Sequence, residues 1–353
     1  MTEPKVSIVM PVFNSRREEL REAVESALGQ TLQAIELVCV DDGSLDDTLE
    51  RLEAFSRKDS RLRIVSLQGN HGTLAARNAA ILAATGRYVL PLDPDDSLRA
   101  ETCEVLSEIM DTRALDMVQF AVETSAGGER YRTLTNPTKD EDLSPAVFAE
   151  SVFMRQRRSW AVIAKMFRRA PLAAAATTFP SGYCANGEDG LLLLGFLASA
   201  RRVGCTPRAL YRYRYGNGLS TSGRPSRAQA DRIMRSLRYS MPWLKDQGCP
   251  QSEAYRHELL RMSLGALVRS RMDVGSRTNA VRNLAGIAAS GEISALLKSF
   301  APVSRSGKWF VQLKYALARR SGRRRKLLRK LALSARVERL ASAASSGREG
   351  GMS

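Results

Sequence analysis

Val6-Ser7-Ile8-Val9-Met10-Pro11-Val12-Phe13-Asn14 begins as a short apolar run rich in β-branched residues and ends in a polar turn. A second such run, Ile35 to Val40, stops at Asp41-Asp42-Gly43-Ser44 and is followed by Asp46-Asp47-Thr48. Outward from this pair the pattern repeats: further β-rich runs cover Arg63 to Leu67, Tyr88 to Leu92 and Met117 to Val122. Between them, helical periodicity covers Glu18 to Gln30, Asp47 to Lys58, Leu74 to Thr85 and Ala100 to Asp111. Strands alternating with helices imply right-handed βαβ units and a mostly parallel sheet flanked by helices, an α/β fold. Ligands bind such sheets beyond the carboxyl ends of the strands, so both polar motifs belong to one edge.

Past this region the pattern loosens. Gly127-Gly128 and Asn136-Pro137 punctuate a loop, Val147 to Arg169 and Asp189 to Ala200 read as helical, and Ala209 to Arg214 reads as a strand. From about Ser226 to Ser299 the pattern is helical throughout. A boundary is expected at Ser222-Gly223-Arg224-Pro225, giving an α/β domain over 1–222, a helical region over 223–304 and a tail over 305–353.

Charge is unevenly spread. The chain of 353 residues carries a net +17, but fourteen basic residues against Glu338 and Glu349 put +12 of it after Ser299. The body is only mildly basic, so the excess belongs to the tail. Hydrophobic residues at 44% and charged residues at 26% exclude wholesale disorder and a polytopic membrane protein. The most apolar stretch, Leu191 to Ala200, is closed by Arg201 and Arg202 and is about half the ~20 residues that a spanning helix needs. Five cysteines without close pairing or metal-type spacing argue for reduced thiols in a cytosolic setting. Met1 to Lys5 runs straight into a strand without a secretory pattern, so the mature chain is expected to start at or near Met1.

The densest chemistry lies at Leu92-Asp93-Pro94-Asp95-Asp96, preceded by Gly69-Asn70-His71-Gly72, Ala76-Arg77-Asn78-Ala79 and Gly86-Arg87-Tyr88-Val89-Leu90. Three carboxylates within four residues repel one another unless a cation or basic groups neutralise them. Mg²⁺ or Mn²⁺ suits such hard oxygen donors, held by one or two carboxylates together with substrate phosphates and water. A solvated acidic turn ahead of a helix beginning near Ser97 accounts for the same residues. Asp42-Gly43-Ser44 has a similar second reading as a turn and helix cap.

Taken in order, these motifs resemble the family 2 glycosyltransferases of GT-A fold, over roughly residues 5 to 220. The resemblance implies that Pro11, Val12, Phe13 and Asn14 shape a nucleotide pocket with Asp42, Gly43 and Ser44, Asp42 meeting the base. It implies that Arg77 lines the diphosphate side, that Asp93 faces the ribose and the metal, and that Asp95 faces the metal, Mn²⁺ or Mg²⁺. Gly187-Glu188-Asp189 ahead of Leu191 to Leu194 resembles the family's ED motif, which makes Glu188 a substrate-side residue and Asp189 the candidate general base. Carboxylates in a first helical turn also serve as caps. Arg212 and Arg214 are candidate cations for the leaving diphosphate, on a segment from Pro207 to Tyr215 that reads equally as a two-faced strand with its tyrosines inside. Lys165 falls where family members often carry a lysine. Pro94 departs from the small residue usual between the two aspartates, and His71 occupies a variable position.

The expected activity is therefore an inverting, metal-dependent hexosyl-type transfer from a nucleotide-diphosphate sugar, a UDP-sugar first, to a hydroxyl of a glycan or lipid-linked acceptor in polysaccharide biosynthesis. The rival from another class is a non-catalytic nucleotide-sugar-binding scaffold at the membrane. A Rossmann dehydrogenase is excluded because no G-x-G-x-x-G follows the first strand, and a sugar nucleotidyltransferase would need a Gly-rich basic loop there. In the tail, Trp309, Leu313 and Leu317 share a helical face among cations, the pattern either of a helix lying on an anionic membrane or of a solvated amphipathic helix packing on the body. A cytoplasmic protein, peripheral at the inner face of the cell membrane, is the expectation. No nucleic-acid recognition pattern is present in the sequence.

Overall fold

The computed structural model describes residues 3–126, 132–134, 137–155, 157–215 and 226–270. The chain divides into two units, Met1–Ala266 and Leu267–Ser353, and of the second only the end of the last helix is described.

The first half alternates as its sequence pattern demands: β1 (Val6–Val12), α1 (Arg17–Leu28), β2 (Ile35–Asp41), α2 (Thr48–Ser56), β3 (Leu62–Ser66), α3 (Thr73–Ala83) and β4 (Tyr88–Pro91). Every residue of β1 and β2 is buried, as expected of parallel strands covered by helices on both faces. Helix α1 buries Leu20, Ala23, Val24 and Ala27, the i, i+3, i+4, i+7 stripe of an amphipathic helix. After β4 come β5 (Ser97–Leu98), α4 (Thr102–Thr112), β6 (Met117–Ala126), β7 (Arg132–Leu134) and β8 (Glu141–Leu143). Then follow α5 (Pro145–Ala149), a π-helical turn (Glu150–Met154), β9 (Lys165–Arg168), α6 (Arg169–Ala176), α7 (Glu188–Leu197), β10 (Val203–Tyr215), α8 (Arg227–Asp246) and α9 (Pro250–Ser270).

The strands form one mixed sheet in the order β3-β2-β1-β4-β9-β6-β10-β5, with β7 on β6 and β8 on β10. β1 to β4 are mutually parallel, β6 and β10 run parallel to each other, and β9 lies antiparallel between β4 and β6. The carboxyl ends of β1, β2, β4, β6 and β10 therefore open on the same edge, where both acidic motifs emerge.

Two expectations from the sequence are corrected. The stretch from Val147 to Arg169 is not one helix: it breaks after the π-helical turn, and Ala164 takes φ 56°. Lys165–Arg168 then enters the sheet, where β4 and β6 would otherwise leave facing backbone groups unpaired. Near Ser97 the chain forms a strand on β10 instead of a helix, and α4 starts at Thr102. The loop residues 127–131 and 216–225 and the whole tail lie outside the described residues.

At the amino edge of the sheet a buried polar cluster ties the first strands together. Glu36 accepts from Ser7 Oγ at 2.6 Å, Thr85 N at 2.6 Å, Thr85 Oγ1 at 2.7 Å and Arg63 Nη1 at 2.7 Å, while Ser7 Oγ accepts from Gly86 N at 2.8 Å. Burial opposes its charge, but the donors from Ser7, Thr85 and Arg63 win and hold the Glu36 carboxyl below the usual range.

Candidate active site

Three loops at the carboxyl edge are stitched to one another. Asn14, at φ 45°, accepts from Leu45 N through Oδ1 at 2.8 Å, and Asn14 N donates to Ser44 Oγ at 3.0 Å. Asp42 accepts from His71 N and Gly72 N, each at 2.8 Å. Gly43 sits at φ 73°, and a Cβ there would lie 2.6 Å from the backbone of Gly69, so only glycine allows this approach. The structure thus joins Asn14 to Ser44 and Asp42 to the loop at His71 and Gly72, with Pro11 and Val12 buried in β1 behind them. Two of the roughly four acceptor positions of the Asp42 carboxylate are used by backbone, and burial pushes its proton affinity up despite those donors.

The acidic turn is built on a hydrogen bond from Asp96 N to Asp93 O at 3.1 Å, so Pro94 stands at the second position of a β-turn, where a fixed φ is an advantage. Tyr211 Oη, fully buried, donates to Asp96 Oδ2 at 2.7 Å and accepts from Asp93 N at 3.2 Å. Asp96 also accepts from Arg214 N at 2.8 Å. Arg214 reaches the Asp95 carbonyl at 3.2 Å and Glu22 on α1 at 2.5 Å. Burial first, then the Asp93 charge, pushes the Asp95 carboxyl up to about 6, and burial, then the Asp93 and Asp95 charges, raises the Asp96 carboxyl as well. These groups lack enough positive charge for their number. Among the described residues no three His, Cys, Asp or Glu side chains are gathered to hold an ion. One or two carboxylates completed by phosphates is the ordinary Mg²⁺ arrangement, so the Asp93 and Asp95 oxygens remain a chemically suitable set.

Arg77, on α3, joins the two halves of the site. Its side chain is 2% exposed and donates to Asp93 Oδ1 at 2.8 Å and to Asp189 Oδ1 at 2.5 Å, with Glu188 Oε1 at 3.7 Å. Burial alone would favour the neutral form, but Asp189, Asp93 and Glu188 overcome it and the guanidinium stays charged. Burial, then the Asp189 charge, raises the Glu188 carboxyl against the pull of Arg77. The second Asp189 oxygen accepts from Val162 N at 3.3 Å. The turn that presents Val162 is held by Lys165, fully buried, whose amine donates to Ser159 O at 3.1 Å and to Ala161 O; burial pushes that amine down to about 7.

Asp93, Arg77, Glu188 and Asp189 are thus in one network, Asp95 and Arg214 adjoin it, and the loops at Asn14, Asp42 and Ser44 form a third group. Arg212 is placed apart, with its Nε 3.7 Å from Glu123, which also pairs with Arg99 at 2.5 Å. On β10 Tyr211 and Tyr213 face the core, the two-faced strand expected as an alternative. Sequence reading did not single out Tyr211 as a partner of the acidic turn, although its alternation with arginines was visible. Glu22 and Val162 carried no signal, being surface helix and loop backbone respectively.

Residues 7–171 match the model described as Glycosyl transferase family 2. The chain is 31% identical over 220 residues to the uncharacterized glycosyltransferase EpsJ of Bacillus subtilis, covering 60% of this chain and 61% of that one. To the succinoglycan biosynthesis protein ExoO of Rhizobium meliloti it is 32% identical over 222 residues, covering 61% and 62%. It therefore spans about three fifths of the length of these curated relatives. Among solved structures, S. aureus TarS 1–349 in complex with UDP-GlcNAc matches with a TM-score of 0.58 and 19% identity, over 94% of this chain and 92% of that one. In the described residues no helix is long and apolar enough to cross a membrane. With a mixed sheet of GT-A type beneath it, the stretch 7–171 is thus similar to glycosyl transferase family 2 over just under half of this chain.

Proposed function

We propose that this chain is an inverting glycosyltransferase that moves a sugar from a nucleoside-diphosphate sugar to a hydroxyl of a glycan or lipid-linked acceptor in polysaccharide assembly. The observation that carries the reading is the Arg77 bridge, which sets the candidate base Asp189 beside Asp93 of the acidic turn. A sugar bound through its diphosphate at that turn would present its anomeric carbon toward Asp189. Asp189 takes the proton of the acceptor hydroxyl while the acceptor oxygen bonds to the anomeric carbon, and the bond to the diphosphate breaks on the opposite face. Such a base contributes about 10²- to 10⁴-fold.

Asp42, with the loops at Asn14 to Ser44, is proposed to hold the base, Asp93 the ribose, and Glu188 the acceptor side. Asp95 and Asp93 would hold Mn²⁺ or Mg²⁺, which when bound supplies positive charge to the leaving diphosphate. Arg214, next to the Asp95 carbonyl, would add charge there, and Arg212 would have to leave Glu123 to do so. UDP-GlcNAc in TarS and the polysaccharide role in the name of ExoO support the donor and acceptor classes. The basic tail is proposed to dock on an anionic membrane surface from the cytoplasmic side.

The test screens UDP- and GDP-sugars with Mn²⁺ or with EDTA, comparing wild type with Asp189→Ala. Release of nucleoside diphosphate that requires the metal and falls at least ~10²-fold in the variant, with nucleotide binding intact, is the expected result. Nucleotide binding without sugar release from any donor, even with membrane extract as acceptor, overturns it in favour of a binding scaffold.

A further inference from the structure

The segment from Pro180 to Gly190 leads into the Glu188–Asp189 pair; Leu74, Arg77 and Val162 bond to it from within the matched residues 7–171, at Cys184, Asp189 and Asp189 respectively, and a second set of bonds comes from outside them. On the α8 side, Tyr239 Oη donates to Pro180 O at 2.7 Å and Ala185 N donates to Ser236 Oγ at 3.0 Å. On the α9 side, Asn186 Nδ2 donates to Ser263 Oγ at 3.2 Å, and Tyr255 Oη donates to Gly187 O at 2.8 Å. Gly187 is the residue that caps α7, at φ 81°, so Tyr255 grips the peptide immediately before Glu188. The same ring lies on Gly190, where an added Cβ would come within 2.1 Å of it. No side chain fits between α7 and α9 at this point.

Tyr255 also touches the other support of Asp189. Its ring is 5.3 Å from that of Phe153 and 5.7 Å from that of Trp160, and Trp160 precedes by two residues the Val162 amide that donates to Asp189. One fully buried side chain therefore contacts both the helix start that carries Asp189 and the turn that donates to it. Packing of this kind fixes a carboxylate's direction more tightly than one hydrogen bond can.

We propose that Tyr255 is a positioning residue for Asp189, and that α8 and α9 are thereby part of the active centre. This rests on the reading of Asp189 as the base. A tyrosine hydroxyl on a cap carbonyl contributes a modest hydrogen bond, whereas a small displacement of a reacting group reduces turnover steeply, about 10²-fold for 1 Å. The ring should therefore matter more than the hydroxyl.

The experiment uses the full chain and compares wild type, Tyr255→Phe, Tyr255→Ala and Asp189→Ala. It measures kcat with a donor that turns over in the screen above, Kd for UDP and GDP, thermal midpoint, and hydrogen exchange of the peptide spanning 180–192. Expected for Tyr255→Phe is a kcat about three- to tenfold lower, and for Tyr255→Ala about 10²-fold lower. In both, nucleotide Kd stays within about threefold and faster exchange is confined to 180–192 while β1 and β2 stay protected. Wild-type kcat in both Tyr255 variants, with Asp189→Ala inactive, overturns the positioning role and leaves the base standing. Loss of kcat, nucleotide affinity and thermal midpoint in step also overturns it, as a purely structural effect. Full turnover in Asp189→Ala removes the base reading itself, and the positioning role with it.

Discussion

Two carboxylate-bearing clusters stand at opposite edges of the same sheet, and their proton affinities move in opposite directions. At the amino edge Glu36 is surrounded by donors from Ser7, Thr85 and Arg63, and its carboxyl is held below the usual range. At the carboxyl edge Asp93, Asp95, Asp96 and Glu188 are all raised, because burial and mutual repulsion exceed what Arg77, Tyr211 and the Arg214 backbone supply. The first cluster is complete within the fold. The second is short of positive charge, which is the condition of a site built to receive a cation or a charged substrate. Strain of this kind is retained only where the surroundings enforce it.

The comparison is most severely tested at Arg77. Arg77→Leu leaves Asp93, Glu188 and Asp189 without their buried counter-charge, and should lower stability by about 3–5 kcal/mol, read by denaturant unfolding at pH 7. The loss should shrink as pH falls, since the carboxyls can then take up protons. A loss that does not depend on pH would mean that Arg77 acts by packing alone.

Glu36→Gln should cost about 1–2 kcal/mol, because an amide cannot accept from all the donors around it. A depressed folded-state pKa contributes stability above the unfolded value that is lost as pH falls through the folded one. The wild-type advantage over Glu36→Gln should therefore be full at pH 7 and fade on the acid side. Turnover per folded molecule should not change. If it does, the two edges are not independent.

The smallest effect has the opposite sign. Asp95 is raised from 3.8 to about 6, so its contribution is present below the unfolded value and lost as pH rises through about 6. Asp95→Asn should then be the more stable protein at pH 7, by about 1 kcal/mol for a partly exposed group, with no difference near pH 4. Mn²⁺ added at pH 7 should stabilise wild type more than the variant, closing the gap. A variant less stable than wild type at pH 7 without metal would mean that the carboxyl edge is already balanced.

How much of this the sequence disclosed follows the reach of each interaction. The alternation from Val6 to Tyr88 is local, and the strands and helices formed where their periodicity placed them. The apolar spacing of Val147, Phe148, Val152 and Phe153 reads as helix and is helical, but it says nothing of the gap between β4 and β6 that draws in Lys165–Arg168. The candidate site was legible as motifs and not as a network. Arg77 and Asp189 are 112 positions apart, and no spacing rule connects a helix in the first half to a helix cap in the second. Tyr255 lay in a stretch readable only as helix, and its grip on Gly187 is a matter of tertiary packing.

The stitching of Asn14 to Leu45, of Asp42 to His71 and Gly72, and of Gly43 against Gly69 bears on any attempt to engineer this chain. A graft that replaces one of these loops with a foreign counterpart would inherit two partners shaped for the old one. The workable unit of exchange is the trio, residues 13–16, 41–47 and 67–72 moved together, and a loop-swapping library should shuffle them as a single cassette.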